Sequence, residues 1–181
     1  MSVTKVYFSP INTERLLLRK LEITDADQVF SLRSDEEVNK FLDRSKAQSI
    51  AEANAFITKI TNGIEQHEWL YWAIALKNDP SLLVGTICLW NFSADAVAEI
   101  GYELMPGFQG MGIMQEAISA VIEFAFKEIP LKLIKAYTHI NNERSSRLLE
   151  KFNFTIKTKH DSKDGNEDEL KNMIIYTLSA M

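Results

Sequence analysis

The sequence predicts a mixed α/β fold, with a mostly antiparallel sheet and one parallel strand-helix-strand unit at its centre. Three observations predict it. Apolar residues recur at helical spacing in two long segments, strand-like runs fill most of the rest, and one of the two helices lies between a pair of strands that must therefore run parallel. The chain has 181 residues, 46% of them hydrophobic and 25% charged, an ordinary globular composition that can bury one substantial core. No repeat, low-complexity tract or Pro/Gly-rich linker divides it, so one domain over residues 1–181 is expected.

In chain order, Thr13 to Leu21 reads as a first strand. Thr24, with Asp27 three residues on, signals a helix start, and Ser49-Ile50-Ala51-Glu52 signals a second. The second opens a helix whose stripe is Ile50, Ala53, Ile57, Ile60 and Ile64. Trp69 to Lys77 and Leu82 to Phe92 form a hairpin about a turn at Asn78-Asp79-Pro80-Ser81. A strand over Val97 to Met105 leads through a turn at Gly107 to Gly112 into a helix marked by Ala117, Ile118, Val121, Ile122 and Ala125, which ends near Pro130. Leu133 to Ile140 is a strand and Glu143 to Phe152 a short helix. Phe154 to His160 and Asn172 to Ala180 close the sheet as an antiparallel pair around a solvated loop, Asp161 to Glu169.

The net charge of −5 argues against holding long nucleic acid, which needs a basic patch, and suits a cationic partner such as an amine. Apolar runs are of strand length, so no membrane span is expected and the protein is placed in the cytoplasm. Cys88 is the only cysteine, which leaves neither an internal disulfide nor a cysteine-based metal site. The histidines, His67, His139 and His160, share no ligand spacing, and no metal is expected.

Gly107-Phe108-Gln109-Gly110-Met111-Gly112-Ile113-Met114 joins a strand to an amphipathic helix and holds three of the seven glycines. Without β-carbons its amides can point outward at an oxyanion, and the helix that follows adds its free amides and positive dipole end. Such a turn suits phosphate. A dinucleotide fingerprint would need glycine where Gln115 stands, and the Gly-Lys-Ser/Thr ending of a triphosphate loop is absent. The alternative is that these glycines only turn a strand into a helix.

Gln109-Gly110-Met111-Gly112-Ile113-Met114 resembles the Gln-x-x-Gly-x-Gly/Ala signature of the GNAT acetyltransferases, departing at Met114. Three further segments are similar to the Rim-type branch, which acetylates ribosomal-protein N-termini. They are Thr13-Glu14-Arg15-Leu16-x-Leu18-Arg19, then Glu99-Ile100-Gly101-Tyr102, then Asn142-x-x-Ser145 with Leu149-Glu150-Lys151-Phe152-Asn153-Phe154. Asn153 stands where that branch has glycine, and asparagine tolerates the left-handed backbone that glycine would supply. The resemblance implies a GNAT-like fold and acetyl-coenzyme A as cosubstrate, its pyrophosphate on the amides of Gln109, Gly110, Met111, Gly112, Ile113 and Met114. It further implies that the pantetheine arm enters where the Glu99 strand splays from the Tyr137 strand, with Asn142 and Ser145 beside it. The acceptor it implies is a primary amine: a peptide N-terminus, including that of a ribosomal protein, or a small amine.

Amine acetylation needs a neutral amine, an oxyanion donor and a proton for the departing thiolate. On the strand Val97 to Met105, Ala98, Ile100, Tyr102 and Leu104 share one face, and Glu99, Gly101 and Glu103 the other. Glu99 is the candidate base, directly or through water; the bland alternative is that both carboxylates are solvated or paired. An α-amine titrates at about 7.7 to 8.0 and needs less help than lysine at about 10.4. Leu149 stands where many family members carry an acidic tyrosine, so Ser145 is the candidate acid, with Tyr137 and Tyr102 next. Asn142 and Ser145 can equally be a local helix cap. Trp90 or Phe92 is the candidate wall of an acceptor pocket. The departures at Met114 and Leu149 leave open a non-catalytic acyl-CoA-binding regulatory module, and the acceptor and oligomeric state are not fixed.

Overall fold

The computed structural model of the chain describes residues 5–157 and 172–180. It begins with a short hairpin in which β1 (Ile11–Asn12) pairs antiparallel with β2 (Leu16–Arg19). The strand expected over Thr13 to Leu21 is cut short because Thr13 turns the chain. Its amide donates to Leu16 O at 3.0 Å, and its hydroxyl accepts from Leu16 N at 2.9 Å.

A 3-10 turn at Ile23–Asp25 leads into α1 (Ala26–Ser34). Asp25, rather than the expected Thr24, organises this entry: its buried carboxylate accepts from Glu22 N at 2.8 Å and from both terminal nitrogens of Arg19 at 2.8 and 2.7 Å. A short helix, α2 (Glu36–Asn39), was not anticipated; Asp35 caps it by accepting from Val38 N. Then α3 (Ile50–Glu65) starts at Ser49 as expected, with Ser49 Oγ accepting from Glu52 N. Ala53, Ile57, Ile60 and Ile64 are buried on its stripe, whereas Ile50, in the first turn, stands 38% exposed.

The central hairpin pairs β3 (Leu70–Leu76) with β4 (Asp79–Trp90). Its turn lies at Lys77 and Asn78 instead of at 78–81. The register shifts between Ile74 and Leu76, and this irregularity brings Leu76 opposite Asp79, which draws Pro80 into the strand. After β5 (Val97–Leu104) come α4 (Ile113–Lys127), β6 (Leu133–His139), α5 (Glu143–Lys151), β7 (Thr155–Lys157) and β8 (Met173–Ser179). Asn153, just after α5, has φ 62°, the left-handed backbone expected of it. β7 and β8 form the expected closing pair, and the loop predicted at Asp161 to Glu169 lies outside the described residues, as does His160.

The eight strands among the described residues form one sheet in the order β1-β2-β3-β4-β5-β6-β8-β7, antiparallel throughout except for β5 and β6. The predicted fold class therefore holds. Each face carries a core. On one, Ala98, Ile100 and Leu104 of β5 pack with Ile113, Met114, Ala117 and Val121 of α4; on the other, Ala73 and Leu83 pack with Val29 and Leu32 of α1 and Ile57 and Ile60 of α3. Alternation along β5 thus sends Tyr102 toward the α4 side and Glu99 and Glu103 toward the α1 side.

The site is made by an interruption in this sheet. The parallel ladder joins Val97 to Leu133 through Ile100 to Ala136 and then stops, although β5 runs on to Leu104 and β6 to His139. β4 still pairs with β5 as far as Leu104, and β8 with β6 as far as His139. The middle of the sheet therefore opens like a V.

Candidate active site

At one lip of this opening, β5 passes through a 3-10 turn, Pro106–Phe108, into the glycine-rich loop. Gly110 and Gly112 have φ 78° and 76°, values that favour glycine, and Gly112 is the N-cap of α4 without any side-chain cap. Among the described residues nothing accepts a hydrogen bond from the amides of Gly110 through Gln115; the first amide satisfied is Glu116 N, by Gly112 O at 3.1 Å. A β-carbon at Gly110 would meet nothing within 4 Å and one at Gly112 only Arg15 Nη2 at 3.3 Å, so the space at Gly110 is open. Free amides, a helix N-terminus and an open approach suit an anion such as pyrophosphate.

Side chains hold the loop in shape without covering it. Gln109 donates from Nε2 to Leu104 O at 3.0 Å and accepts from Arg144 Nη1 at 2.8 Å, which ties the loop to β5 and α5. Arg15 donates to Met111 O at 3.0 Å and pairs with Glu116 at 2.6 Å; Glu116 also accepts from Thr13 Oγ1 and Arg15 N. Burial works against the charge on Glu116, but the hydrogen bonds from Thr13 and Arg15 outweigh it and hold the carboxyl below its ordinary value. The Thr13-Glu14-Arg15 segment thus braces the first turn of α4. Sequence reading noted that segment as a motif without finding its role, because its partner lies about a hundred residues away. Met114 is buried at 7% exposure, so its side chain belongs to the core and only its backbone faces the loop.

On the α4 side of the V, Asn142 caps α5 by accepting from Ser145 N at 3.2 Å. Ser145 Oγ lies 2.9 Å from Tyr102 Oη, so the expected acid and one fallback form a single two-hydroxyl unit. Burial pushes the Tyr102 phenol up to about 12, partly offset by Ser145.

Glu99 and Tyr137 lie on the α1 side. Burial raises the Glu99 carboxyl, against a hydrogen bond from Asn91 Nδ2 at 2.8 Å and the charge of Lys135. The Tyr137 phenol is raised too, by burial and then by the Glu99 carboxylate, which places the two groups within each other's field. Glu103, grouped with Glu99 from the alternation, is not open to water: Arg44 bonds one oxygen at 2.6 Å and Thr86 the other at 3.2 Å. Tyr71 donates to Thr86 Oγ1, and burial and then Glu103 push the Cys88 thiol up to about 12.

The segment after α2, which offered no sequence signal, crosses the mouth of the V. Arg44 anchors it on β5 through Glu103, and Phe41 stacks on His139 of β6 at 5.4 Å. Buried Asn39 orients this segment by accepting from Arg44 Nε at 2.8 Å while donating to Leu32, Arg33 and Asp35 carbonyls. Of the candidate walls, Trp90 is 48% exposed, and Phe92 is half-buried against the core on the α4 side. Among the described residues no cluster of His, Cys, Asp or Glu has metal-binding geometry, and no helix is long and apolar enough to cross a membrane. Two grooves lined by Asn12, Phe124 and Glu128 flank α4 and reach neither the glycine loop nor Glu99.

The arrangement can bind a phosphorylated carrier at the loop, pass its arm through the V, and expose its end to a carboxylate on the far side. Comparison with known proteins agrees. Residues 15–155 match the family profile described as Acetyltransferase (GNAT) domain. "Uncharacterized N-acetyltransferase YoaA" of Bacillus subtilis is 33% identical over 151 residues, covering 81% of this chain and 83% of that protein. Among solved structures, a GNAT-family acetyltransferase from Bacillus anthracis superposes with TM-score 0.79 at 24% identity, over 94% of this chain and 98% of that one. RimL, a ribosomal-protein α-N-acetyltransferase in complex with coenzyme A, gives 0.80 at 16% identity, again over 94% and 98%. The structural likenesses speak for the fold, and the profile and the sequence relative for the family: the chain belongs to the GNAT acetyltransferases and is an acetyl-transferring enzyme.

Proposed function

We propose that this enzyme acetylates the α-amino group at the N-terminus of a peptide or protein, as the Rim-type branch does, and that residues 1–181 form one acetyltransferase domain working in the cytoplasm. The observation that carries the reading is the V between β5 and β6 with unsatisfied amides at one lip and Glu99 on its far side. A peptide end is favoured because the structurally similar RimL is named for such an acceptor, and because an α-amine needs only a weak base. Strands from Ile11 to Ser179 all belong to one sheet, which supports a single domain. Cys88, the only cysteine, is a free thiol, which fits a reducing compartment.

The amides of Gln109, Gly110, Met111, Gly112, Ile113 and Met114 are assigned to the pyrophosphate of acetyl-coenzyme A, with Asn142 and Ser145 beside its arm. When bound, acetyl-coenzyme A supplies a thioester carbonyl open to attack by an amine. Glu99, directly or through water, takes the proton that the amine nitrogen loses as its bond to the acyl carbon forms; Tyr137 lies within its field. The carbon-sulfur bond breaks on the α4 side, where the Tyr102-Ser145 pair keeps one hydroxyl hydrogen for the departing sulfur. A phenol near 12 is a poor full donor to a thiolate of ordinary value about 8.5, so the pair acts by hydrogen bonding and solvent completes the proton transfer.

Thiol release from acetyl-coenzyme A with a panel of peptides, each in free and N-terminally blocked form, tests this. Release only with the free forms, with mass spectrometry placing the acetyl group on the α-amine, is expected. Equal release with blocked peptides, or turnover of small amines alone, would overturn the peptide assignment.

A further inference from the structure

Arg33, in the last turn of α1, is a charged side chain of the α1-side face that the mechanism leaves unused. Its guanidinium lies 3.8 Å from the centroid of the Phe56 ring, which fixes its plane. Its backbone is pinned as well, since Arg33 O accepts from Ala47 N and from Asn39 Nδ2, each at 3.1 Å. Yet among the described residues no side chain or carbonyl accepts a hydrogen bond from its guanidinium. The nearby carboxylate, Glu103, is already taken at both oxygens by Arg44 and Thr86. Two guanidiniums therefore share the field of one carboxylate, and burial and then the charge of Arg44 lower the Arg33 value, the mark of a half-buried cation short of counter-charge.

We propose that Arg33 is a specificity residue of the acceptor site and binds a carboxylate carried by the acceptor, one to three residues beyond the amine that is acetylated. The inference rests on the peptide N-terminal reading above. Distance selects the substrate class. Glu99, beside which the amine reacts in this reading, and Glu103, whose charge acts on Arg33, are four residues apart on β5, about 13 Å at the rise of a strand. The carboxylate of a free amino acid starts only two bonds from its amine, about 2.5 Å, and cannot span that length. An extended peptide advances about 3.3 to 3.6 Å per residue, so an Asp or Glu side chain at the second, third or fourth position can. The planar fork of Arg33, held on Phe56, suits bidentate capture of such a group.

The test is a set of peptides with one N-terminal residue in common and Glu, Gln or Lys at the second, third or fourth position, assayed for kcat/KM. Glu is expected to exceed Gln by about ten- to a hundredfold at one or more of these positions, the range for a hydrogen bond to a charged group. Arg33→Met, which keeps an apolar stem over Phe56, should bring the Glu/Gln ratio close to one, and Arg33→Glu should turn the preference toward Lys. Peptides that turn over in the wild type without a Glu/Gln difference would overturn this proposal and leave the peptide reading standing. A preference that survives Arg33→Met would overturn it as well. If small amines alone turn over, both readings fall together. The wild-type peptide series can overturn the proposal even where a variant does not fold.

Discussion

The two faces of β5 are built differently. On the α4 side the region proposed for the cofactor is mostly backbone: one continuous stretch from Leu104 to Glu116 supplies the turn, the left-handed glycines and the open amides. On the α1 side the region proposed for the acceptor is almost wholly side chains, drawn from α1, the segment after α2, β3, β4 and β5 and held by the Arg44-Glu103, Tyr71-Thr86 and Asn39-Arg44 bonds. Backbone can bind the phosphates of a carrier with little dependence on side-chain identity. Side chains can be exchanged without disturbing that backbone, so one scaffold can keep its cosubstrate while its acceptor varies.

That contrast can be broken from either side. The largest effect is expected at the loop. Gly112→Glu introduces a negative charge where φ is 76° and where a β-carbon already comes within 3.3 Å of Arg15 Nη2. Acetyl-coenzyme A at about 100 times its dissociation constant should stabilise the wild type by about 2.7 kcal/mol and this variant not at all. Gly112→Ala carries the same backbone strain without the charge and is expected to keep part of the shift in a thermal melt. An undiminished shift for Gly112→Glu would place the phosphates elsewhere.

On the other face, Arg44→Ala would strand Glu103, whose side chain is only 8% exposed. Loss of about 3 to 5 kcal/mol in urea unfolding is expected, and Glu103→Gln in the same chain should recover part of it. A change within about 0.5 kcal/mol would mean that water replaces the guanidinium and that the segment after α2 is not tied down.

A smaller effect, confined to chemistry, is expected at Glu99. Glu99→Gln should lower kcat/KM by about a hundredfold, the low end for a general base. The sign of its pH dependence follows from burial. Because the folded environment raises this carboxyl, the base is lost as pH falls through a value above its ordinary one, and that acid limb should vanish in the variant. The same shift means that ionised Glu99 weakens the fold above that value, so Glu99→Gln should be no less stable than the wild type at neutral pH. A variant that is unstable and retains full activity would mark Glu99 as structural.

The contrast also explains which parts could be read in advance. The loop was legible because its chemistry is contiguous: spacing alone gives the glycines, the strand before them and the helix after them. The β5 alternation and the α3 stripe were legible for the same reason. The acceptor face was not, since Arg44 meets Glu103 across 59 positions and Thr13 meets Glu116 across 103, and no local pattern encodes such meetings. Glu103 illustrates the gap: alternation assigned its face correctly but could not tell an open carboxylate from a paired one. The hairpin turn was misplaced for another reason, a register shift at Ala75 whose cause lies in pairing with the neighbouring strand.

The early end of the β5-β6 ladder also has a mechanical meaning. β4 and β5 are laced by six residue pairs and β6 and β8 by seven, whereas the halves of the sheet meet across four. The sheet is thus two stiff wings on a narrow seam, with raw backbone edges facing inward, where no second molecule can add a strand and begin aggregation. A slender ligand bearing amide groups fits such edges as a missing strand would, and hydrogen exchange at Gly101 to Leu104 should slow when it is in place.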